Sequence, residues 1–367
     1  MPYFPSECEV QKLKASAQCD QPGDDLNSVP SAHRFRCSSR RLGDGTWGQV
    51  FAGRRNARGA AFEFAVKVIS PSRMHNTSFT PSQLVKSEGY VMERLGDHPN
   101  IVKLVAHGPA ASLFALPKRK SLLRAPWCDP APSLTGAHCL VLERVRGGEL
   151  YAFISKFERA HGHPLPEKTA CEIFRGIAAG LAHCHSCGVV HRDLKIENVL
   201  LTNDGVKLID FGLSHAHSLD SDGSWANEQL LDICGSHGYI APEVVLSREP
   251  GSGYDSYAAD VWSLGVRVLR RAVKEGRSAT RAIFGWSPRW CNLSVGAISL
   301  IDSLLALDPR QRPSVAAVLQ HPWISSHSHG EECAIEREGP TSPIGSHDLG
   351  KRSDSPRSIL ESLDLGL

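Results

Sequence analysis

The sequence lacks the apolar segments that membrane-spanning and secreted proteins carry. No apolar run approaches the roughly 18 residues that a membrane-spanning helix needs, and the first residues, MPYFPSECEV, contain neither the basic start nor the apolar core of a secretory signal. The 11 cysteines are an odd number at irregular spacings, which argues against a disulfide framework. We therefore expect reduced thiols and a location in the cytoplasm or the nucleus.

A strong net charge is also missing. The formal net charge is +2 over 367 residues, so there is no electrostatic case for binding nucleic acid or a membrane surface. Hydrophobic residues make up 41% and charged residues 22%, as in ordinary globular proteins, and no internal repeat is present. The length allows one large or two smaller domains with a sizeable core.

The first half of the chain is predicted to form strands. Residues 1–34 are polar and contain turn-forming residues, which predicts a flexible leader. Strand patterns follow between residues 35 and 70 and within 100–108 and 138–145. A helix is predicted over 81–95, because Pro81 begins it and Gly96 ends it. Residues 109–137 contain several prolines and a short basic run, so we predict an inserted surface loop.

The second half is predicted to be helical. After Gly147 and Gly148, apolar residues recur at helical spacing in EKTACEIFRGIAAGLAHCHSCG. Further helices are expected at 259–275, 296–306 and 313–320, and a disordered tail over 326–367. The pattern predicts two lobes, a small one over about 35–145 and a large one over about 149–325, joined at the glycine pair.

The stretch GDGTWGQV contains a possible phosphate-binding loop. Gly43, Gly45 and Gly48 lie between two strand patterns. A phosphate can approach backbone N–H groups closely where Cβ atoms are absent. Glycines between strands also form simple turns, so this motif alone does not distinguish a phosphate-binding loop from a turn. The element that follows is a strand rather than a helix, which argues against a dinucleotide-binding fingerprint.

Lys67 lies in the middle of the apolar strand pattern AVKV. A buried ammonium needs a partner, and Glu88 on the following predicted helix offers one. A Lys67–Glu88 pair would hold the ammonium toward nucleotide phosphates. In an alternative interpretation, the lysine extends to a sheet edge and has no such partner. The sequence around Lys67 alone supports the two interpretations equally.

The stretch HCHSCGVVHRDLK allows two interpretations. Its imidazoles and thiols could form a metal site, from His183, Cys184, His185, Cys187 and His191. However, the two cysteines have no second cysteine pair, and the first two histidines point differently on a helix. A second group of possible zinc ligands, His321, His327, His329 and Cys333, falls at the edge of the predicted tail. We favour the interpretation of the stretch as the approach to a catalytic loop.

The motifs HRDLKIENVLL and KLIDFG support that interpretation. Asp193 can orient an incoming hydroxyl or accept its proton, and Lys195 can neutralise a transferred phosphoryl group. Asn198 and Asp210 offer oxygen ligands for Mg²⁺. On these motifs the sequence resembles the eukaryotic protein kinase family, in which each of them has a known role.

The resemblance covers about residues 35–325 and implies a fold class and an activity. The fold would be α+β, the two-lobed protein kinase fold, with a small, mainly antiparallel β lobe carrying one helix and a large, mainly α lobe. The activity would be transfer of the γ-phosphoryl group of ATP to serine or threonine hydroxyls of protein substrates, with Mg²⁺. Lys195 fits the serine/threonine type, and CGSHGYIAPE and LVLERVRGGELY look most like the calcium/calmodulin-dependent and AMP-activated group. A regulatory calmodulin-binding segment is not evident, since the terminal RSILESLDLGL is acidic rather than basic, and the sequence leaves the regulatory partner unknown.

The resemblance also implies the site residues. The catalytic residues would be Asp193, Lys195 and Lys67, and the metal ligands Asn198 and Asp210. The nucleotide would contact the loop Gly43, Asp44, Gly45, Thr46, Trp47 and Gly48, together with Val50, Ala65, Lys67, Glu88, Leu142, Glu143, Val145, Glu149 and Leu200. His191 is expected to pack against the phenylalanine of DFG, Asp260 to brace the catalytic loop, and Glu243 to pair with Arg312.

Two features depart from the family pattern. Asp232 stands two residues before the CGS cysteine, where that group commonly carries a phosphorylatable threonine, and we expect it to pair with Arg192. The predicted helix after Asp260 has a basic face, Arg267, Arg270, Arg271 and Lys274, where the family pattern is apolar. That face keeps open a second function, a kinase-fold scaffold that binds nucleotide and partners without phosphorylating them.

Overall fold

The computed structural model describes residues 35–45, 47–55, 61, 63–74, 79–114, 134–247, 253–269 and 293–326. The predicted leader, the predicted tail beyond residue 326 and Thr46 lie outside these ranges. The same is true of Arg270, Arg271 and Lys274 from the basic face. In the described part of the chain, none of the helices has the length and apolar character needed to cross a membrane.

A five-stranded antiparallel sheet forms the small lobe. Its strands are β1 (Phe35–Asp44), β2 (Gln49–Arg55), β3 (Phe64–Ile69), β4 (Leu104–Pro109) and β5 (His138–Glu143), in the spatial order β1-β2-β3-β5-β4. Val50 lies opposite Lys67, and Ala65 lies opposite Leu142. Because side chains alternate along a strand, these four share one face of the sheet. The register therefore places Lys67 on the same face as the residues expected around the adenine.

The helix Pro81–Leu95 has the bounds that the sequence predicts. Thr80 and Gln83 form a reciprocal capping box at its start, and Pro81 occupies the first turn, where no N–H partner is needed. Gly96 ends the helix with a φ of 61°, which favours glycine. The helix buries Glu88 together with its apolar positions, so this carboxylate faces the sheet.

The beginning of segment 109–137 differs from the predicted surface loop. Residues Ala110–Leu113 form one helical turn, and Phe114 bridges to Phe35 at the start of β1. Ala110, Leu113 and Phe114 are buried in a small cluster with Phe35. The burial of these side chains holds this part of the segment against the sheet; residues 115–133 lie outside the described ranges.

The large lobe is built around the helix Glu167–Ser186, which buries residues from several sides. The other elements, in chain order, are the helix Leu150–His161, the short strands Val189–Val190, Val199–Thr202, Gly205–Leu208 and His215–Ala216, the 3₁₀ turns Ile196–Asn198 and Pro309–Gln311, and the helices Pro242–Leu246, Ser256–Ser263, Val295–Leu304, Val315–Leu319 and Pro322–Ser326. A further 3₁₀ turn, Pro71–Arg73, belongs to the small lobe.

The helix predicted at 259–275 begins earlier and changes type. Asp255 caps it through bonds to the N–H groups of Tyr257 and Ala258, which sets the start at Ser256. After Ser263 the chain continues as a π-helix, Leu264–Leu269. A Cβ on Gly265 would lie 2.8 Å from Cβ of Leu304, so the two segments pack with no room for a side chain there. The spacing of hydrophobic residues and the capping residues do not predict the π-helical segment.

Candidate active site

Lys67 is buried between two carboxylates. Its Nζ donates to both oxygens of Glu88, at 2.8 and 2.7 Å, and to Oδ1 of Asp210 at 2.6 Å. The structure therefore confirms the Lys67–Glu88 pair, and the alternative in which the lysine extends to a sheet edge is wrong. Three donors meet three acceptors, which satisfies the ammonium.

The ionisation of this cluster follows from burial and charge together. Burial disfavours the ammonium, but the carboxylates of Asp210 and Glu88 outweigh it and raise the pKa of Lys67 above its usual value. Burial raises the pKa of Glu88, and the nearby Lys67 opposes that effect. The lysine therefore stays charged in the cleft at neutral pH.

Asp193 is surrounded by donors. Lys195 Nζ donates to its Oδ2 at 2.6 Å, and the hydroxyl of Ser236 donates to its Oδ1 at 2.7 Å. Lys195 also donates to Ser236 Oγ at 2.7 Å, so the three side chains form a closed set. Asn198 Nδ2 donates to the Asp193 carbonyl at 2.9 Å and to Oδ2 at 3.2 Å. The carboxylate is thus buried and held in one orientation.

The residues predicted as metal ligands offer oxygen donors that suit Mg²⁺. Because the amide nitrogen of Asn198 is engaged by Asp193, its amide oxygen is the atom turned toward other partners. Asp210 has a φ of 62° and directs Oδ1 to Lys67, in the same cleft. A carboxylate and an amide oxygen are the ligand types that Mg²⁺ prefers, so this donor set fits the ion.

Asp260 braces the catalytic loop as expected. It is buried, and it accepts hydrogen bonds from the backbone N–H of His191 at 2.7 Å and of Arg192 at 2.8 Å. His185 Nε2 lies 3.0 Å from its Oδ2. Burial alone would raise the pKa of Asp260, but these hydrogen bonds and the neighbouring imidazoles hold that pKa below its usual value. Arg192 has a φ of 64°, a backbone conformation that the two bonds help to hold.

The histidines of the HCHSC stretch each have a structural contact. His183 Nε2 lies 2.7 Å from the Leu95 carbonyl, and Cys184 is fully buried. His191 is buried with its ring 5.0 Å from that of Phe211, and its Nε2 lies 3.2 Å from the Ile209 carbonyl. The predicted packing role of His191 is confirmed. The stretch supports the catalytic loop and does not gather into a metal site.

The glycine-rich loop lies close to Lys67 and to the DFG motif. A Cβ on Gly48 would lie 2.4 Å from the Val68 carbonyl oxygen, so only glycine fits there. Trp47 Nε1 donates to the Gly212 carbonyl at 3.2 Å, which joins the loop to DFG. Asp44 instead pairs with Arg41 at the exposed end of the strand. The structure therefore turns Asp44 toward its own strand and Trp47 toward the cleft.

Three of the residues expected to contact the nucleotide lie at the end of β5 or just after it, namely Leu142, Glu143 and Val145. Leu142 is buried opposite Ala65. The N–H of Glu143 donates to the Lys103 carbonyl at 2.9 Å, so an adenine contact at this residue would have to use its carbonyl oxygen. Val145 is partly buried, and Glu149 is exposed just before the helix Leu150–His161. Glu149 also bridges to Leu200, which brings these two predicted contact residues together.

Arg192 and Asp232 form the ion pair that the sequence predicts. Both side chains are largely buried, and Arg192 Nε also donates to Cys234 Sγ at 2.9 Å. The hydroxyl of Tyr254 donates to the Asp232 carbonyl at 2.9 Å. These contacts join the catalytic loop to the second half of the activation segment, which runs from the DFG motif at Asp210 to the APE motif at Glu243.

Glu243 and Arg312 form the second expected ion pair. Arg312 donates to both carboxylate oxygens of Glu243, at 2.6 and 2.8 Å, and to the carbonyls of Ala258 and Ala306 at 2.9 Å each. Its guanidinium also lies 4.9 Å from the ring centre of Trp262. The pair joins the end of the activation segment to the C-terminal part of the large lobe.

Sequence reasoning missed two residues of the site. Ser236 contacts both Asp193 and Lys195, although it lies far along the chain in the activation segment. The stretch CGSHGYIAPE that contains Ser236 indicates the kinase group but not this contact. His185 contacts the bracing Asp260, a contact that the HCHSC stretch does not indicate. Ser236 and His185 both lie in recognisable motifs, but the residues they contact are distant in the chain and are brought to them only by the tertiary fold.

Comparisons with known proteins agree with this geometry. Residues 37–324 match the family model described as "Protein kinase domain". The chain is 31% identical to "CBL-interacting protein kinase 25" of Oryza sativa subsp. japonica, over 77% of this chain and 49% of that protein. It is 33% identical to "CBL-interacting serine/threonine-protein kinase 5" of Arabidopsis thaliana, over 78% of this chain and 57% of that protein.

A further relative is the human "Hormonally up-regulated neu tumor-associated kinase", 31% identical over 81% of this chain and 37% of that protein. The chain thus spans about half the length of the plant relatives and less of the human one. The family match covers most of the chain, and these relatives fit the calcium/calmodulin-dependent and AMP-activated group. The chain belongs to the eukaryotic serine/threonine protein kinase family.

Proposed function

We propose that this protein is an ATP- and Mg²⁺-dependent serine/threonine protein kinase that phosphorylates protein substrates. The observation that carries the proposal is the pair of clusters facing one cleft. Lys67, Glu88 and Asp210 form one, and Asp193 with Lys195 forms the other. The first cluster supplies an ammonium group for the nucleotide phosphates and a carboxylate oxygen for the metal ion. The second cluster supplies a carboxylate, fixed in orientation by Lys195, for the acceptor hydroxyl.

In this proposal each group of the chain has one task. Lys67 holds the nucleotide phosphates, and Glu88 holds Lys67 in place. Asp193 orients the acceptor hydroxyl and takes its proton, while Lys195 neutralises charge on the transferred group. Mg²⁺, held by Asn198 and Asp210, would offset the charge of the β- and γ-phosphates. Positioning and charge stabilisation would account for turnover of roughly 1–100 s⁻¹.

The nucleotide-binding scaffold has no support in the described site. The argument for it was the basic face after Asp260, and most of that face lies outside the described residues. Within the described part, Val261, Trp262, Leu264 and Val266 are buried as the family pattern expects. The catalytic side chains keep their mutual contacts.

One assay separates the two functions. The full-length protein is incubated with labelled ATP, Mg²⁺ and a mixed peptide library, with Asp210→Ala as the matched inactive control. We expect label on serine- and threonine-containing peptides with the wild type and none above background with the variant. Nucleotide binding by the wild type without label transfer would favour the scaffold. The labelled peptides would also give the substrate consensus.

The Arg192–Asp232 pair predicts activity without phosphorylation of the activation segment. Phosphatase-treated protein should keep its activity, because Asp232 already supplies the negative charge that Arg192 needs. Asp232→Asn should lower activity roughly tenfold to a hundredfold, since a hydrogen bond to a charged group contributes about 1.5–3 kcal/mol. Initial rates on one labelled peptide measure both effects.

The matched control for this prediction is Asp222→Asn, which removes an exposed carboxylate from the same segment. It should change the rate by less than about twofold, as expected for a surface charge. Loss of activity on phosphatase treatment, or equal rates for the two variants, would contradict the role assigned to Asp232.

A further inference from the structure

Three potential metal ligands converge in the activation segment, outside the site described above. His215 belongs to the short strand His215–Ala216, which pairs with Val189–Val190 just before the catalytic loop. His217 follows at once, and Glu228 lies farther along the segment. One ligand atom from each of the three lies within 4.8 Å of the others. The remaining interactions of this group show which atoms face the shared space.

His217 is held by one ring nitrogen, and the other nitrogen has no hydrogen-bond partner in the described part of the chain. The side chain is fully buried, its Nε2 lies 3.0 Å from Ser256 Oγ, and its ring stacks on Tyr257 at 4.8 Å between centres. Its Nδ1 is buried and has no hydrogen-bond partner among the described residues. An outer hydrogen bond that orients a ring while the other nitrogen stays available is the usual arrangement of a metal-binding histidine.

His215 and Glu228 complete the group. His215 Nε2 is also buried with no hydrogen-bond partner in the described part of the chain. It lies 3.7 Å from Glu228 Oε2, which is too long for a hydrogen bond. Ser218 donates to Glu228 Oε1, which leaves Oε2 directed toward the imidazoles. Two buried ring nitrogens without partners are unfavourable unless something else binds them.

The charged residues around His215, His217 and Glu228 are compatible with a cation bound between them. Glu228 contributes a negative charge, and Asp255 adds one near His217. The facing cations are Arg192, which is paired with Asp232, and Arg94, which lies 3.9 Å over the ring of Trp225.

We propose that His215 Nε2, His217 Nδ1 and the Glu228 carboxylate bind a zinc ion, with a fourth position open to water. Two imidazoles and one carboxylate form a known tetrahedral zinc donor set, whereas Mg²⁺ would prefer oxygen ligands throughout. Bonds of about 2.0–2.2 Å require the three atoms to draw in by roughly 1 Å. The Glu228 side chain is 43% exposed and can move by that amount.

The ion would join the start of the activation segment to its second half. The strand at His215 pairs next to the catalytic loop, and the chain after Glu228 leads to Asp232 and Ser236. His217 adds a link to Ser256 at the start of the helix Ser256–Ser263. Because a ligand that binds only the folded arrangement stabilises it, zinc would hold the segment in the conformation seen here.

The test measures metal binding directly, so its outcome does not depend on the proposed kinase activity. The full-length protein is stripped with a chelator and titrated with Zn²⁺ in competition with a chromophoric chelator. Co²⁺ is then used as a probe, since tetrahedral coordination gives it strong visible absorption. For the wild type we expect one tight site per chain and a tetrahedral Co²⁺ spectrum.

Three variants test which residues bind the zinc ion. Glu228→Gln keeps the shape of an exposed side chain and should weaken Zn²⁺ binding by at least about a hundredfold and abolish the tetrahedral spectrum. Ser218→Ala, which removes only the hydrogen bond to Glu228, should weaken it roughly 10–100-fold. The matched control is the double variant His327→Ala/His329→Ala, which removes two of the three histidines of the other candidate group and should leave the affinity unchanged.

Circular dichroism of the metal-free variants separates loss of a ligand from loss of the fold. The proposal is overturned if the wild type lacks a tight site, or if folded Glu228→Gln binds as well as the wild type. It is also overturned if the loss appears in the His327→Ala/His329→Ala variant instead.

Discussion

Asp193→Asn is expected to lower phosphoryl transfer by roughly 10²–10⁴-fold, the range in which a positioned acid or base contributes to catalysis. The substitution keeps the size of the side chain but removes the negative charge. It also places an amide near Lys195 Nζ, which now donates to Oδ2 at 2.6 Å. Nucleotide affinity should stay within about twofold, because Lys67 and Asp210 hold their contacts independently of Asp193.

Two measurements check this expectation together. Initial rates with a saturating peptide give the loss of turnover, and calorimetric titration with ATP and Mg²⁺ gives the affinity. Asp204→Asn is the matched control, since Asp204 is exposed in the turn between two short strands. Retained phosphorylation by Asp193→Asn would refute the assignment of Asp193. A parallel loss of nucleotide affinity would show that the variant disturbs the cleft as a whole.

Arg312→Met is expected to lower the free energy of unfolding by about 3–5 kcal/mol, because it leaves Glu243 as an unpaired charge. The Arg312 side chain is fully buried, and the variant also loses two bonds to backbone carbonyls. Such a loss is large beside the total stability of about 5–15 kcal/mol that is typical of a domain. Urea denaturation followed by tryptophan fluorescence measures it.

Arg310→Met is the matched control for that prediction. Arg310 pairs with Asp308, but its side chain is 88% exposed. Loss of such an exposed pair should leave the free energy of unfolding nearly unchanged, because solvent screens the two charges. Arg312→Lys should fall between the two variants, because lysine keeps the charge but lacks the planar guanidinium that bonds both Glu243 oxygens and two backbone carbonyls at once. Equal unfolding midpoints for Arg310→Met and Arg312→Met would contradict the role given to the buried pair.

Some features of the fold can be predicted from residue types and motifs in the sequence alone. Proline at its start and glycine at its end gave the bounds of the helix Pro81–Leu95. The apolar surroundings of Lys67 required a partner, and the next helix contained Glu88. The Arg192–Asp232 pair followed from the family pattern combined with charge.

Other features depend on tertiary contacts that no local pattern encodes. The π-helix Leu264–Leu269 packs where Gly265 meets Leu304, and its sequence reads as an ordinary helix. The turn Ala110–Leu113 is held by burial against Phe35, which is remote in the chain. His215 and His217 are close in sequence, but only the path of the activation segment brings Glu228 to them.

The shared ammonium of Lys67 couples the position of a helix to Asp210, one of the two residues proposed to bind Mg²⁺. Glu88 moves with the helix Pro81–Leu95, whereas Asp210 belongs to the large lobe, and one cation bonds to both. A displacement of the helix that withdrew Glu88 would leave Lys67 bound to Asp210 alone, where it would compete with a metal ion. If Asp210 binds Mg²⁺ as proposed, thermodynamic reciprocity requires that the ion would favour the inward position of the helix. A contact on the outer face of this helix would then alter metal affinity in the cleft without entering it.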